Sequence, residues 1–348
     1  LTPTSLFLVR SPLQLFNCVE AALRYPDCGR KVLVLLHRKG FDRDLMAKIL
    51  EDGDVAWDDV TWGDIRSNGT HLRLVGDLLR RLPPLETCFL GDSTHLTNLV
   101  VNRRSPRKVV LVDDGTHTYI RARMAAARAF GRENSHQEPI GLFRRLLDRA
   151  VGFDESFLND AAFFTIYDDV AAYSPALEVV RNDYRRFRET VAGLPVRDEA
   201  LFIGSDLIGD ILVDPGRYEA YLARVVERFG GRKWTYVMHR KENEVRREYL
   251  EGMSRKYGFT LAVYDRILEQ HFRARGWRPA LAGTIFSTAL DTLQAIYGME
   301  TVAFVPDLSD IREKYRFVFG EMHARYRSRG VTISPLSGDS TPPGGPTP

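Results

Sequence analysis

The sequence predicts an α/β protein of two Rossmann-like domains facing one another across a central cleft. Three observations predict it. Short apolar runs alternate with helical patterns in the first half of the 348 residues, and again in the second half. A charged, helix-like stretch over 182–190 is broken by Gly193-Leu194-Pro195 and separates the two series. Polar motifs stand just past several apolar runs, where open α/β sheets bind their ligands. The expected organisation is an N-terminal domain over 1–192, a C-terminal domain over 193–333 and a disordered tail over 334–348.

The elements follow in order. Apolar runs at 5–10, 31–37, 87–90 and 108–112 read as buried parallel strands, because both faces of such strands are covered by helices. Helical patterns at 13–23, 41–50, 71–82 and 94–102 lie between them. The first helix has a clear start, with Ser11 at the cap and Pro12 at the first helical position. The second series has strands at 200–204, 234–238, 259–263, 281–286 and 301–305. Helices at 218–229, 243–257 and 288–296 separate them. Right-handed crossovers then make each series one parallel sheet. From Ser334 the chain is rich in Gly, Pro, Ser and Thr and reads as a tail without a core of its own.

Composition bounds the function. A net charge of +3 is too small for the basic excess that usually marks a nucleic-acid-binding protein. Cys18, Cys28 and Cys88 are three widely spaced thiols with neither zinc nor disulfide spacing, which favours a reducing, cytoplasmic setting. No apolar run is long enough to span a bilayer. A basic amphipathic pattern between Glu138 and Phe153 carries Arg144, Arg145 and Arg149 opposite Leu142, Phe143, Leu146 and Leu147. Burial of its apolar face is the plain reading. Contact with the inner face of a membrane or with an anionic acceptor is the sharper one.

Five motifs carry candidate chemistry. Asp113-Asp114-Gly115 follows the run 108–112, and the Gly permits a sharp turn and close approach of a ligand. A carboxylate there suits a general base, though a helix cap has the same appearance. His239-Arg240-Lys241-Glu242 follows 234–238 and joins an imidazole to positive charge, which suits a phosphate or a leaving group. Ser287-Thr288 opens a helix after 280–286, and hydroxyls with unused amides at a helix start form an anion site. Ser11 and Gln14 follow the first strand and would shape the cleft. Gly204-Ser205-Asp206 follows the first strand of the second domain and could contact a base or ribose. No G-x-G-x-x-G follows a strand, and neither a P-loop nor a G-x-S-x-G elbow is present.

The ordered set of Ser-Pro-Leu-Gln, an acidic pair before Gly, a later His motif and a hydroxyl pair resembles bacterial sialyltransferases. The likeness is to the lipooligosaccharide sialyltransferase family, glycosyltransferase family 52, and to bacterial polysialyltransferases. It spans roughly residues 6 to 305. The resemblance implies a GT-B fold, a CMP-linked nonulosonic acid such as sialic acid as donor, and inversion at the anomeric carbon. It implies a glycan or glycolipid acceptor of the lipooligosaccharide or capsule polysaccharide kind. No cofactor and no metal is expected, because His239 and a helix start can stabilise the leaving CMP. Asp113 then stands as the base on the acceptor hydroxyl, with Asp114 and Gly115 shaping its loop. His239 stands at the departing phosphate with Ser287 and Thr288, and Glu242 near the cytidine. Two positions depart from the family pattern: Arg240 replaces a Pro, and Thr288 replaces a Ser. They leave the donor sugar open. Two other readings stay open: a GT-B transferase using a UDP- or GDP-sugar, and a non-catalytic carbohydrate- or nucleotide-binding protein.

Overall fold

The computed structural model describes residues 2–66, 68–93, 95–130, 154–239 and 244–336. Contacts divide the chain into two compact units: 1–190 with 265–267, and 191–264 with 268–348.

Among the described residues the first unit holds seven strands: β1 (Thr4–Val9), β2 (Arg30–His37), β3 (Asp59–Asp64), β4 (Thr87–Leu90), β5 (Lys108–Val112), β6 (Ala162–Thr165) and β7 (Val179–Arg181). They form one sheet in the order β3-β2-β1-β4-β5-β6-β7, every pair parallel. The order reverses between β1 and β4, the place where doubly wound sheets leave a crevice at their carboxyl ends. All six residues of β1 are buried, as expected for a central strand covered on both faces. Phe7 stacks on Phe89 at 4.4 Å and meets Trp57 edge-on at 4.9 Å, which ties β1 to β4. Its helices among the described residues include α1 (Pro12–Arg24), α2 (Gly40–Glu51), α3 (Asn68–Arg81), α4 (His95–Arg104) and α5 (His117–Ala126). The charged stretch forms a shorter helix than expected, Arg185–Val191, because Asn182 and Asp183 accept the amides of Tyr184 and Arg185 and so turn the chain before it.

The second unit carries β8 (Val196–Ile203), β9 (Lys233–Val237), β10 (Thr260–Ala262), β11 (Arg278–Thr284), β12 (Glu300–Val305) and β13 (Thr332–Pro335). Their order is β10-β9-β8-β11-β12-β13, again parallel throughout, with the reversal between β8 and β11. Its core is aromatic, with Phe202, Tyr218, Phe229, Tyr236 and Phe304 fully buried. Helix Arg217–Phe229 buries Tyr218, Tyr221, Leu222, Val225 and Phe229, one face at helical spacing, and ends at Gly230 in the left-handed region.

One boundary differs from the expectation. Ser334 and Pro335 are not tail but the end of β13, paired with Phe304 and Val305. Pro is tolerated there because β13 is an edge strand, where a missing ladder donor costs little. The segment between Glu138 and Phe153, and the tail from 337 onward, lie outside the described residues. Among the described residues no helix is long and apolar enough to cross a membrane.

Candidate active site

In both units the motifs stand at the carboxyl edge of the sheet. In the first unit, Ser11 and Gln14 follow β1, Gly91 and Asp92 follow β4, and Asp113-Asp114-Gly115 follow β5. Gly115 turns the chain at φ +63° into α5.

Asp113 and Asp114 have opposite environments. Asp113 is 3 % exposed. The register of β5 and β6 pairs Val112 with Phe164, which brings Asp113 beside Thr165. Thr165 Oγ1 and Thr118 Oγ1, the latter at 3.0 Å, donate to Asp113 Oδ1. The Ile166 N–H donates to Oδ2 at 2.7 Å. Asn17 Nδ2 donates to the Asp113 carbonyl at 3.1 Å, and Asn17 in turn accepts from Tyr184 Oη at 2.6 Å. Both carboxylate oxygens are therefore engaged inside the fold, and this carboxylate ties β5 to β6 and α5.

The Asp114 side chain keeps 25 % of its surface exposed. Arg121 Nη2 lies 3.4 Å from its Oδ2, and the Gln14 side chain hydrogen-bonds it. Burial pushes its carboxyl up from the ordinary value, and Asp92 adds to this. Arg121, Gln14 and His117 work the other way. A half-buried carboxyl with a raised pKa is the state a general base near neutral pH requires. Asp113, expected as the base, thus has both carboxylate oxygens engaged inside the fold, and Asp114, expected to shape its loop, is the more open carboxylate of the two.

Around Asp114 lies a charge network. Arg121 reaches Asp92 at 2.7 Å and the Gly91 carbonyl at 2.9 Å, and Arg10 reaches Asp92 at 2.6 Å. Gln14 is buried and accepts the Arg10 amide at 2.8 Å. A Cβ at Gly91 would come within 2.4 Å of Gln14 Oε1, so glycine is what lets Gln14 lie there. Ser11 caps α1 by accepting the Gln14 amide at 3.3 Å. Arg10, Asp92 and Arg121 escaped the sequence reading. The signal was present for Asp92, since Gly91-Asp92 follows β4 much as Asp114 follows β5.

In the second unit, the sequence-predicted residues follow β8, β9 and β11, three neighbouring strands. Gly204 packs against the Tyr236 ring. An added Cβ would meet the Tyr236 ring at 2.7 Å, and Tyr236 Oη bonds Tyr218 Oη at 2.7 Å behind it. Ser205 is 4 % exposed, and its hydroxyl is buried with no hydrogen-bond partner among the described residues. Such a group calls for an explanation, and a bound polar ligand is one. Asp206 pairs with Arg246 of helix Glu244–Tyr257, so this carboxylate braces that helix. His239 is half-buried, just beyond Met238, whose N–H still bonds Ala262 at 2.9 Å beside β10. Arg240 and Glu242 lie outside the described residues.

Ser287 and Thr288 form the turn from β11 into helix Ala289–Tyr297. The amides of Ala289, Leu290 and Asp291 are used within the turn, on Ser287 Oγ, the Ser287 carbonyl and the Thr288 carbonyl. The unused helix amides expected from the sequence are therefore not what this turn offers. The Thr288 side chain caps no amide of the helix and is half-buried. An anion here would meet hydroxyls. Among the described residues no three His, Cys, Asp or Glu side chains converge as metal ligands.

No protein-family model and no curated protein matches the chain. Solved structures do. A UDP-N-acetylglucosamine 2-epimerase superposes with a TM-score of 0.53 at 10 % identity, over 96 % of this chain and 84 % of that one. A UDP-N-acetylglucosamine 2-epimerase from Rickettsia bellii gives 0.50 at 11 % identity, over 90 % and 81 %. A UDP-GlcNAc 2-epimerase from Methanocaldococcus jannaschii gives 0.50 at 10 % identity, over 96 % and 89 %. At such identity the likeness concerns the fold. The chain has the GT-B fold, with two Rossmann-like α/β domains.

Proposed function

We propose that this protein is a nucleotide-sugar-dependent glycosyltransferase acting with inversion. The observation that carries the reading is Asp114: a half-buried carboxyl at the end of β5, raised by burial and steadied by Arg121 and Gln14. In the proposed reaction the acceptor hydroxyl oxygen bonds to the anomeric carbon as the bond from that carbon to the nucleotide phosphate breaks. Asp114 takes the hydroxyl proton. Ser287 and Thr288 hold the departing phosphate by their hydroxyls, and His239 supplies a donor to it. The unpartnered Ser205 hydroxyl is assigned to the nucleotide.

Two donor classes are carried by separate observations. The order of the acidic, His and hydroxyl motifs supports a CMP-linked acid sugar, by resemblance to family 52. The like-folded structures with TM-scores of 0.50 and above are named for UDP-N-acetylglucosamine, and they support a UDP-sugar. Thermal unfolding with CMP, CDP, UDP and GDP separates them. A rise in melting temperature with CMP or CDP alone is expected for the first, and with UDP for the second. At a ligand concentration a hundred times Kd the gain is about 2.7 kcal/mol. No rise with any of the four would contradict both.

A further inference from the structure

One helix grips the whole Ser287 turn. Three residues at positions i, i+4 and i+7 of helix Glu313–Ser328 meet three consecutive residues after β11. Phe319 stacks on Phe286 at 4.5 Å. His323 hydrogen-bonds the backbone of Ile285, while its Nε2 is buried without a partner among the described residues. Tyr326 is fully buried, and its Oη donates to the Ser287 carbonyl at 2.8 Å and faces the Ser287 N–H at 3.4 Å.

We propose that Tyr326 is a positioning residue for phosphate binding: its hydroxyl fixes the backbone on both sides of the Ser287 Cα and thereby aims the Ser287 and Thr288 hydroxyls at the nucleotide phosphate. This rests on the reading of that hydroxyl pair as phosphate ligands. The physical case is the geometry of one hydroxyl against both polar atoms of one residue. The Ser287 N–H and C=O belong to the two peptide planes that flank its Cα, so holding both fixes the backbone torsions there, and the Ser287 and Thr288 side chains inherit that orientation. A further buried group, Asp291 in the first turn of helix Ala289–Tyr297, acts electrostatically on Tyr326 and is 3.4 Å from Arg329 Nε. That pairing offsets a negative charge that would otherwise oppose an anion at the same helix start. Burial holds the His323 imidazole at a pKa of about 4, so at neutral pH it is an uncharged prop.

The test is Tyr326→Phe, which removes the hydroxyl and keeps the ring. Calorimetric titration compares CMP with cytidine and UDP with uridine, on the wild-type chain and the variant. The expected result is a loss of about tenfold in affinity for the nucleotide that the wild type binds, with the affinity for its nucleoside unchanged. Only a defect at the phosphate gives that pattern. Equal nucleotide affinity in variant and wild type would overturn the inference. So would an equal loss for nucleotide and nucleoside, which marks a general packing defect. A wild-type chain that binds neither nucleotide more tightly than its nucleoside would overturn the phosphate reading itself, and the inference with it. Should the phenylalanine variant not fold, Ser287→Ala and Thr288→Ala are titrated with the same pairs. Loss of the nucleotide preference in neither would overturn the proposal, and loss in both would support the turn that Tyr326 holds.

Discussion

Asp114→Asn is expected to lower turnover by about two orders of magnitude or more, the scale of losing a general base. It is expected to leave the fold intact, because Asp114 is joined to its surroundings chiefly through Arg121 and Gln14 at the sheet edge. The pH dependence follows from the direction of its shift. Burial raises the folded-state pKa above the unfolded value. The stability this group contributes is therefore fully present below the unfolded pKa and is lost as pH rises through the folded one. The uncharged variant escapes that loss, so its melting temperature at pH 7 should equal or exceed that of the wild type. In the wild type, the acidic limb of kcat/KM should fall at a pH above the ordinary carboxylate range. An Asp114→Asn chain that turns over near the wild-type rate would remove this residue from the mechanism.

Asp113→Ala is expected to act in the opposite way, on the fold. It would leave the Thr118 and Thr165 hydroxyls and the Ile166 N–H facing a void in the interior. Hydroxyls can rotate toward other acceptors, but a backbone N–H cannot. Leaving these three buried donors without their acceptor costs about 3 kcal/mol or more. For a unit of this size that is a melting-temperature loss on the order of 10 °C. Circular dichroism against temperature measures it directly. An Asp113→Ala chain as stable as the wild type would contradict the structural part given to this carboxylate.

The different settings of these two neighbours show what the sequence could carry. The run Lys108–Val112 is apolar enough to mark a buried strand, and two acids beyond it mark a sheet edge. Which of the two turns inward depends on Thr165 and Ile166, more than fifty residues away. Thr165 ends β6, a strand of four residues that the sequence pattern did not single out, and Ile166 follows it. β3 was missed for a different reason. Its sequence Asp-Val-Thr-Trp-Gly-Asp is polar because it is an edge strand, half-exposed along most of its length. β13 was hidden by the turn-forming residues that follow it. The central strands β1, β2, β5, β8 and β12 were legible because both of their faces are covered, which forces continuous apolar runs. The hydroxyls of Ser287 and Thr288 were legible as a helix start. The use of the helix amides inside that turn, and the grip of Phe319, His323 and Tyr326 upon it, depend on packing by a helix some thirty residues further on.

The most direct test of the central claim is mass spectrometry together with proton NMR of the products formed when the wild-type chain meets CMP-sialic acid and UDP-N-acetylglucosamine with a mixture of glycan acceptors. The account predicts an acceptor that gains the mass of one sugar residue, released nucleotide in equal amount, and inversion at the new linkage. Unchanged acceptors with both donors intact, or a UDP-sugar converted to its epimer with no acceptor consumed, would contradict it.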